Sequence, residues 1–231
     1  MYRALRGEAD TSRVPGLQRF FRTGRGEYGE GDRFIGVEVP SIRMLCRRFR
    51  NAPLADIDKL LHSPIHESRL LALLLMVQAF RAGDDREKQR IYALYLSRTR
   101  FINSWDLVDS SAPHIVGAWL AQRSRAPLRR LARSNSLWER RISIVATQYL
   151  IRQHSFEDTF ALADLLLDDQ HDLIHKAVGW MLREAGDRDP VAIRRFLATR
   201  HMRMPRTMLR YAIEKFPEKE RQTYLSARVA R

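Results

Sequence analysis

Phe101–Leu120, FINSWDLVDSSAPHIVGAWL, is the stretch on which the fold turns. A helix beginning at Asn103 or Ser104 puts Trp105 and Asp109 four residues apart and so on one face, an aromatic ring beside a carboxylate. Leu107, Val108, Ile115, Val116 and Leu120 fall on the opposite side as a set to be buried. Pro113 must end or bend the first part, because it has no N–H to donate to the preceding turn. Spacing alone leaves two readings open: a capped amphipathic helix carrying a surface acid, or a helix that presents a site.

Outward from this stretch, helical patterns recur and no segment alternates as a strand. Val14–Arg22 is predicted helical, with Leu17, Phe20 and Phe21 apolar, after a loose polar segment from Gly7 to Arg13. Pro40 suits a first helical position, and Ser41–Phe49 is amphipathic with Arg43, Arg47 and Arg48 on its polar side. A short helix follows Pro53 to about Leu61, Ser63 can cap the next, Ile65–Phe80 is strongly apolar, and Asp84 and Asp85 open another towards Leu96.

Aligned under one another, HSPIHESRLLALLL, NSWDLVDSSAP, SNSLWERRISIVAT, DLIHKAVGWMLREAG and MPRTMLRYAIEKF recur at roughly 35 residues, each expected as the longer helix after a shorter one. That period predicts an all-α fold, an α-solenoid of HEAT-like helical repeats. One domain over residues 1–231 is expected, with residues 1–35 as an N-terminal helix and Gly-rich loop leading into the repeats. Four of the five repeat starts carry a cation in their first turns, Arg69, Arg141, Lys176 and Arg206, which predicts a concave basic face. The fifth carries Asp109. Trp138 with Arg141, and Trp180 with Arg183, are three apart, so each tryptophan shares a helix face with a cation.

The 231 residues hold 41 Lys+Arg against 27 Asp+Glu, a net charge of +14. Arginine predominates, so the expected partner is a polyanion held through forked phosphate contacts, nucleic acid ahead of an anionic membrane. No apolar run is long enough to span a bilayer, and MYRALRGEAD lacks the apolar core of a secretory signal, so a cytoplasmic protein is expected; a bacterial-type monomer, nucleoid-associated when acting, is a separate expectation. The single Cys46 excludes internal disulfides and lies with Ile42, Leu45 and Phe49 on an apolar face, which favours burial over reactivity.

Two motifs point elsewhere. Gly24, Gly26 and Gly29 spell G-x-G-x-x-G, but a dinucleotide turn needs a strand before it and a helix after it; a helical pattern precedes this one, which favours a plain loop and no cofactor. Tyr28 in that loop could touch a ligand. His171 and His175 have the i, i+4 spacing of zinc ligands, without a general base or a third ligand, so no metal is expected.

In order and spacing, GVEVPSIRMLCRRF, HESRLLALLL, INSWDLVDSSAP, LWERRISIVAT, HKAVGWMLREAG and MPRTMLRYAIEKFP together resemble the AlkD-type DNA alkylation-repair glycosylases, built from HEAT-like repeats. The resemblance implies that the W-D-x-V-D motif supplies a catalytic aspartate, Asp109, with Trp105 adjacent. Arg141 matches the arginine of W-x-x-R, and Trp180 the tryptophan of G-W-x-L-R-E, with Arg183 after it. Tyr28, Arg43 and Arg47 carry over as further DNA contacts. The implied activity is hydrolysis of the N-glycosidic bond of cationic N3- and N7-alkylpurines, such as 3-methyladenine and 7-methylguanine, in duplex DNA. The competing expectation is a non-catalytic HEAT-repeat scaffold that binds DNA or RNA, which would need the basic charge but not the Trp105/Asp109 pair.

Overall fold

A computed structural model describes residues 1–226; among them the secondary structure is helical, apart from an isolated parallel bridge between Arg33 and Ile65. The chain forms two compact units, Met1–Ile115 and Val116 onward. Within each, successive helix pairs pack side by side in the manner of an α-solenoid. No helix among the described residues is long and apolar enough to cross a membrane.

The first unit contains α1 (Tyr2–Gly7), α2 (Val14–Phe20), α3 (Val39–Arg48), α4 (Leu54–Leu61), α5 (His66–Ala82), α6 (Asp85–Ser97) and α7 (Trp105–Asp109). Prolines at the first or second position start α2 and α3, where a missing N–H costs nothing. Ahead of the polar segment Gly7–Arg13, which is exposed throughout, Leu5 on α1 is fully buried, and α1 packs on α3 and α5. Helix α5 is apolar on every side from Leu70 to Val77 and is correspondingly buried there, except at half-buried Leu74, against α1, α3, α4, α6 and α7. Each such leucine contributes about 1.5–3 kcal/mol by leaving water. Ser63 does not cap α5: Ile65 is its extended N-cap, and the Ser63 hydroxyl accepts the Ile65 N–H instead, at 3.1 Å. Asp84 caps α6 in a reciprocal box with Glu87.

Helix α7 ends at Asp109: the Ser111 N–H turns to the Val108 carbonyl at 3.1 Å in place of that of Leu107, and Pro113 beyond it has no N–H to give to the Asp109 carbonyl. A wider π-helical turn, Pro113–Gly117, carries the chain onward. Leu107, Val108, Ile115, Val116 and Leu120 are all buried, as their spacing requires.

The second unit contains α8 (Ala118–Leu120), α9 (Ala126–Ala132), α10 (Leu137–Arg152), α11 (Glu157–Leu165), α12 (Asp172–Gly186), α13 (Pro190–Arg200), α14 (Arg206–Ala212) and α15 (Glu218–Ser226). Helix α10 packs on α8, α9, α11 and α12, and α12 packs on α10, α11, α13 and α14. At Gly179 a Cβ would stand 2.5 Å from both the Met208 carbonyl oxygen and the Tyr211 Cβ, so α12 and α14 meet backbone to backbone. The expected alternation of a shorter then a longer helix holds at α4/α5, α9/α10 and α11/α12. It reverses at α6/α7 and α13/α14, where the second member is the shorter.

Candidate functional site

In the first unit, the N-cap Ser104 is extended and the five residues of α7 hold Trp105 at one end and Asp109 at the other. Both are half-buried, while Leu107 and Val108 between them are fully buried and anchor the helix. The charge of Asp109 is felt by Tyr95, whose hydroxyl shares a 2.9 Å hydrogen bond with Ser111; burial first, and Asp109 in addition, push that phenol well above its ordinary range. The indole of Trp105 stacks on Phe21 (centroids 5.5 Å apart, planes 19° apart) and meets Phe20 edge-on at 5.7 Å. Phe20 itself is 63% exposed.

Beside Asp109, Ser110 and His114 join Arg43, Cys46, Arg47, Leu74, Gln78 and Arg81 in lining an open groove of about 780 Å3. Arg43 and Arg47 are exposed there, on the solvent side of α3. Cys46 is buried, its thiol donating to Gln78 at 3.1 Å; burial pushes its pKa up despite Arg47, which agrees with an unreactive role.

The repeat cations sort by depth. Arg69 is only 5% exposed, and its guanidinium is turned inward to Asp32 at 2.7 Å and the Ser63 carbonyl at 3.2 Å. It is an internal ion-pair partner where a phosphate contact was expected. In the second unit Arg141 is also 5% exposed and donates to the Leu173 carbonyl at 2.6 Å, bracing α10 against the start of α12. Lys176 is half-exposed beside Asp172, Arg183 is paired with Glu214, and exposed Arg206 donates to the Leu225 carbonyl. Trp180 is half-buried, its indole N–H directed to Glu184 at 3.2 Å.

The Gly-rich loop follows α2, and its own carboxylates occupy the amides that a dinucleotide turn would offer to phosphate: Glu27 accepts from Gly24 and Glu30 from Gly26, each at 2.8 Å. Tyr28 is half-buried within it. Further on, buried Glu67 accepts N–H bonds from Ile35, Gly36 and Val37 at 2.8–3.3 Å. Gly36 has φ +84° and lies so close to the Asp10 carbonyl that no Cβ would fit. His171 and His175 serve α12 itself: His171 caps it by accepting the Leu173 N–H, and His175 bonds the Asp169 carbonyl. Among the described residues no three His, Cys, Asp or Glu side chains gather as a metal site.

One cluster was not anticipated. His66, first residue of α5 and 2% exposed, bridges Asp32 (Nδ1, 2.7 Å) and Asp106 (Nε2, 2.8 Å). Burial alone would lower its pKa, but the two carboxylates outweigh that and push it up to about 9. Burial likewise opposes ionisation of Asp32, yet His66 and Arg69 hold its carboxyl below the ordinary range. His66 and Asp106 both stand in the repeat motifs, but they lie 40 positions apart and Asp32 a further 34 before His66, beyond any helical periodicity.

Residues 1–216 match the family model for DNA alkylation repair enzymes. The chain therefore belongs to that family, an enzyme class that acts on DNA. A solved structure described as a predicted DNA alkylation repair enzyme from Enterococcus faecalis is similar at a TM-score of 0.70 and 15% identity, covering 91% of this chain and 98% of that one, a likeness of fold. No curated relative matches.

Proposed function

We propose that this repair enzyme is a monomeric, monofunctional DNA glycosylase that hydrolyses the N-glycosidic bond of cationic N3- and N7-alkylpurines, 3-methyladenine and 7-methylguanine among them, in duplex DNA. Asp109 carries the proposal: a half-buried carboxylate at the end of a short, well-anchored helix, with an aromatic at the other end and a basic groove alongside. Alkylation at N3 or N7 leaves the purine positively charged. As the bond to C1′ breaks, the base departs neutral and positive charge develops on the deoxyribose. A carboxylate near C1′ stabilises that oxocarbenium-like state and orients the attacking water. The indole of Trp105 is assigned an electron-rich face towards the sugar cation, worth most where water is excluded, and Trp180 is carried as a further candidate for that role. Phe21 fixes the orientation of Trp105 by stacking on it.

Phosphate contacts are assigned to the outward cations Arg43, Arg47 and Arg206, with Lys176, Arg183 and Tyr28 as further candidates. Buried Arg69 and Arg141 are left to hold the fold. A neutral base leaves poorly unless an acid protonates it, and in the α7 motif the other carboxylate, Asp106, is engaged with His66. Uracil and hypoxanthine should therefore stay in place. The test is a panel of duplexes differing only in the central lesion, assayed for free base in single turnover: release from 7-methylguanine but not from uracil or hypoxanthine is expected. Tight DNA binding with no base released from any duplex would favour the non-catalytic scaffold.

A further inference from the structure

We infer that Asp32, His66 and Asp106 form a charged latch in which His66 is a positioning residue, holding the first turn of α7 and so the aim of Trp105 and Asp109. The inference rests on the glycosylase reading for its catalytic consequence, though not for its structural one. The three side chains come from three different segments: Asp32 from the Gly-rich loop, His66 from the start of α5, Asp106 from the second position of α7. Helix α7 has only five residues and its N-cap side chain makes no capping hydrogen bond, so it cannot hold its own orientation as a long helix does. Leu107 and Val108 anchor its buried side; on its first turn Asp106 is tied by charge to the imidazole.

Around His66 two cations, His66 and Arg69, offset Asp32 and Asp106. Asp32 faces it from the loop and Asp106 from α7, while Arg69 of its own helix pairs with Asp32; Glu67, the next residue, is taken up by the loop amides. Phe21 and Phe34 close over the ring, their centroids 4.8 and 4.6 Å away, and Phe21 passes to Trp105 by stacking. The imidazole thus reaches the candidate site by two routes, a hydrogen bond to Asp106 and an aromatic stack to Trp105. The raised pKa of His66 agrees with a cation between two anions at neutral pH.

The test compares wild type, His66→Gln, Asp106→Asn and the double variant. Base release from a 7-methylguanine duplex should fall roughly 10²-fold in either single variant, the scale of a misplaced catalytic group. The loss should lie in kcat with KM unchanged, and the double variant should be no worse than the singles, because one latch is broken only once. Hydrogen exchange supplies a readout independent of activity: the Val108 and Ser110 amides, bonded to Ser104 and Asp106 carbonyls, should lose protection while α5 keeps its own. Unchanged α7 protection, wild-type excision, or multiplying losses would overturn the latch. If His66→Gln does not fold, Asp106→Asn decides by the same readouts. If the wild type releases no base, the glycosylase reading falls and exchange alone judges the latch.

Discussion

Asp109 ends its helix four residues before a proline that cannot donate to its carbonyl, and its neighbours Leu107 and Val108 are buried, so the carboxylate is half-buried yet held in place. Replacing it with Asn keeps the shape and removes the charge. The expected outcome is an unchanged fold and DNA affinity, with base release lowered by about two to three orders of magnitude, the scale of losing one preorganised electrostatic group; single-turnover excision at the wild-type rate would remove Asp109 from the mechanism. His66 makes a second prediction, about stability. Its pKa rises from 6.5 to about 9 on folding, so its contribution is fully present below about pH 6.5 and is lost as pH climbs through about 9. That contribution is on the order of 3 kcal/mol. Thermal unfolding between pH 6 and 10 should show the wild type losing its advantage over His66→Gln across this window. A constant difference would mean that folding does not raise the pKa of His66.

At the scale of elements, two joints are decided by backbone approach. Helices α12 and α14 touch at Gly179, where a methyl group would meet a carbonyl oxygen and a Cβ that cannot swing aside. Gly179→Ala should therefore destabilise the second unit by about 1–3 kcal/mol, as overpacking does, although alanine is the better helix former. Denaturant unfolding measures this, and a stabilised variant would show the helices able to part. The loop before α3 is hung on Glu67, which satisfies amides of Ile35, Gly36 and Val37. Glu67→Ala leaves buried donors unpaired at about 1–3 kcal/mol each. Limited proteolysis should then cut between Arg22 and Glu38 sooner than in wild type.

For the whole molecule, a net charge of +14 makes binding to undamaged duplex fall steeply with salt, through release of counterions condensed on the phosphates. Depth separates which arginines contribute. Arg43→Ala and Arg47→Ala should each flatten the slope of log affinity against log salt by roughly one. Arg69→Ala should leave the slope unchanged and lower stability instead, since it strips Asp32 of a buried partner. A slope that responds to Arg69 as it does to Arg43 would put Arg69 on the DNA.

The helices were legible in the sequence because their signals are local: Pro40 and Pro53 at starts, Asp84 as a cap, Pro113 beyond a stop, and an apolar run from Leu70 to Val77 that is mostly buried. The candidate pair Trp105/Asp109 was legible for the same reason, since four residues of helix always put two side chains on one face. Depth was not. Arg69 and Arg206 occupy like places in their repeats, yet one is buried against Asp32 and the other exposed, because helical spacing gives direction from an axis and says nothing of what is packed beyond. Nor could spacing join Asp32, His66 and Asp106. Their meeting depends on how a glycine-rich loop folds back across α5, hung on Glu67 and on the positive φ of Gly36, and that closure exists only in the tertiary structure.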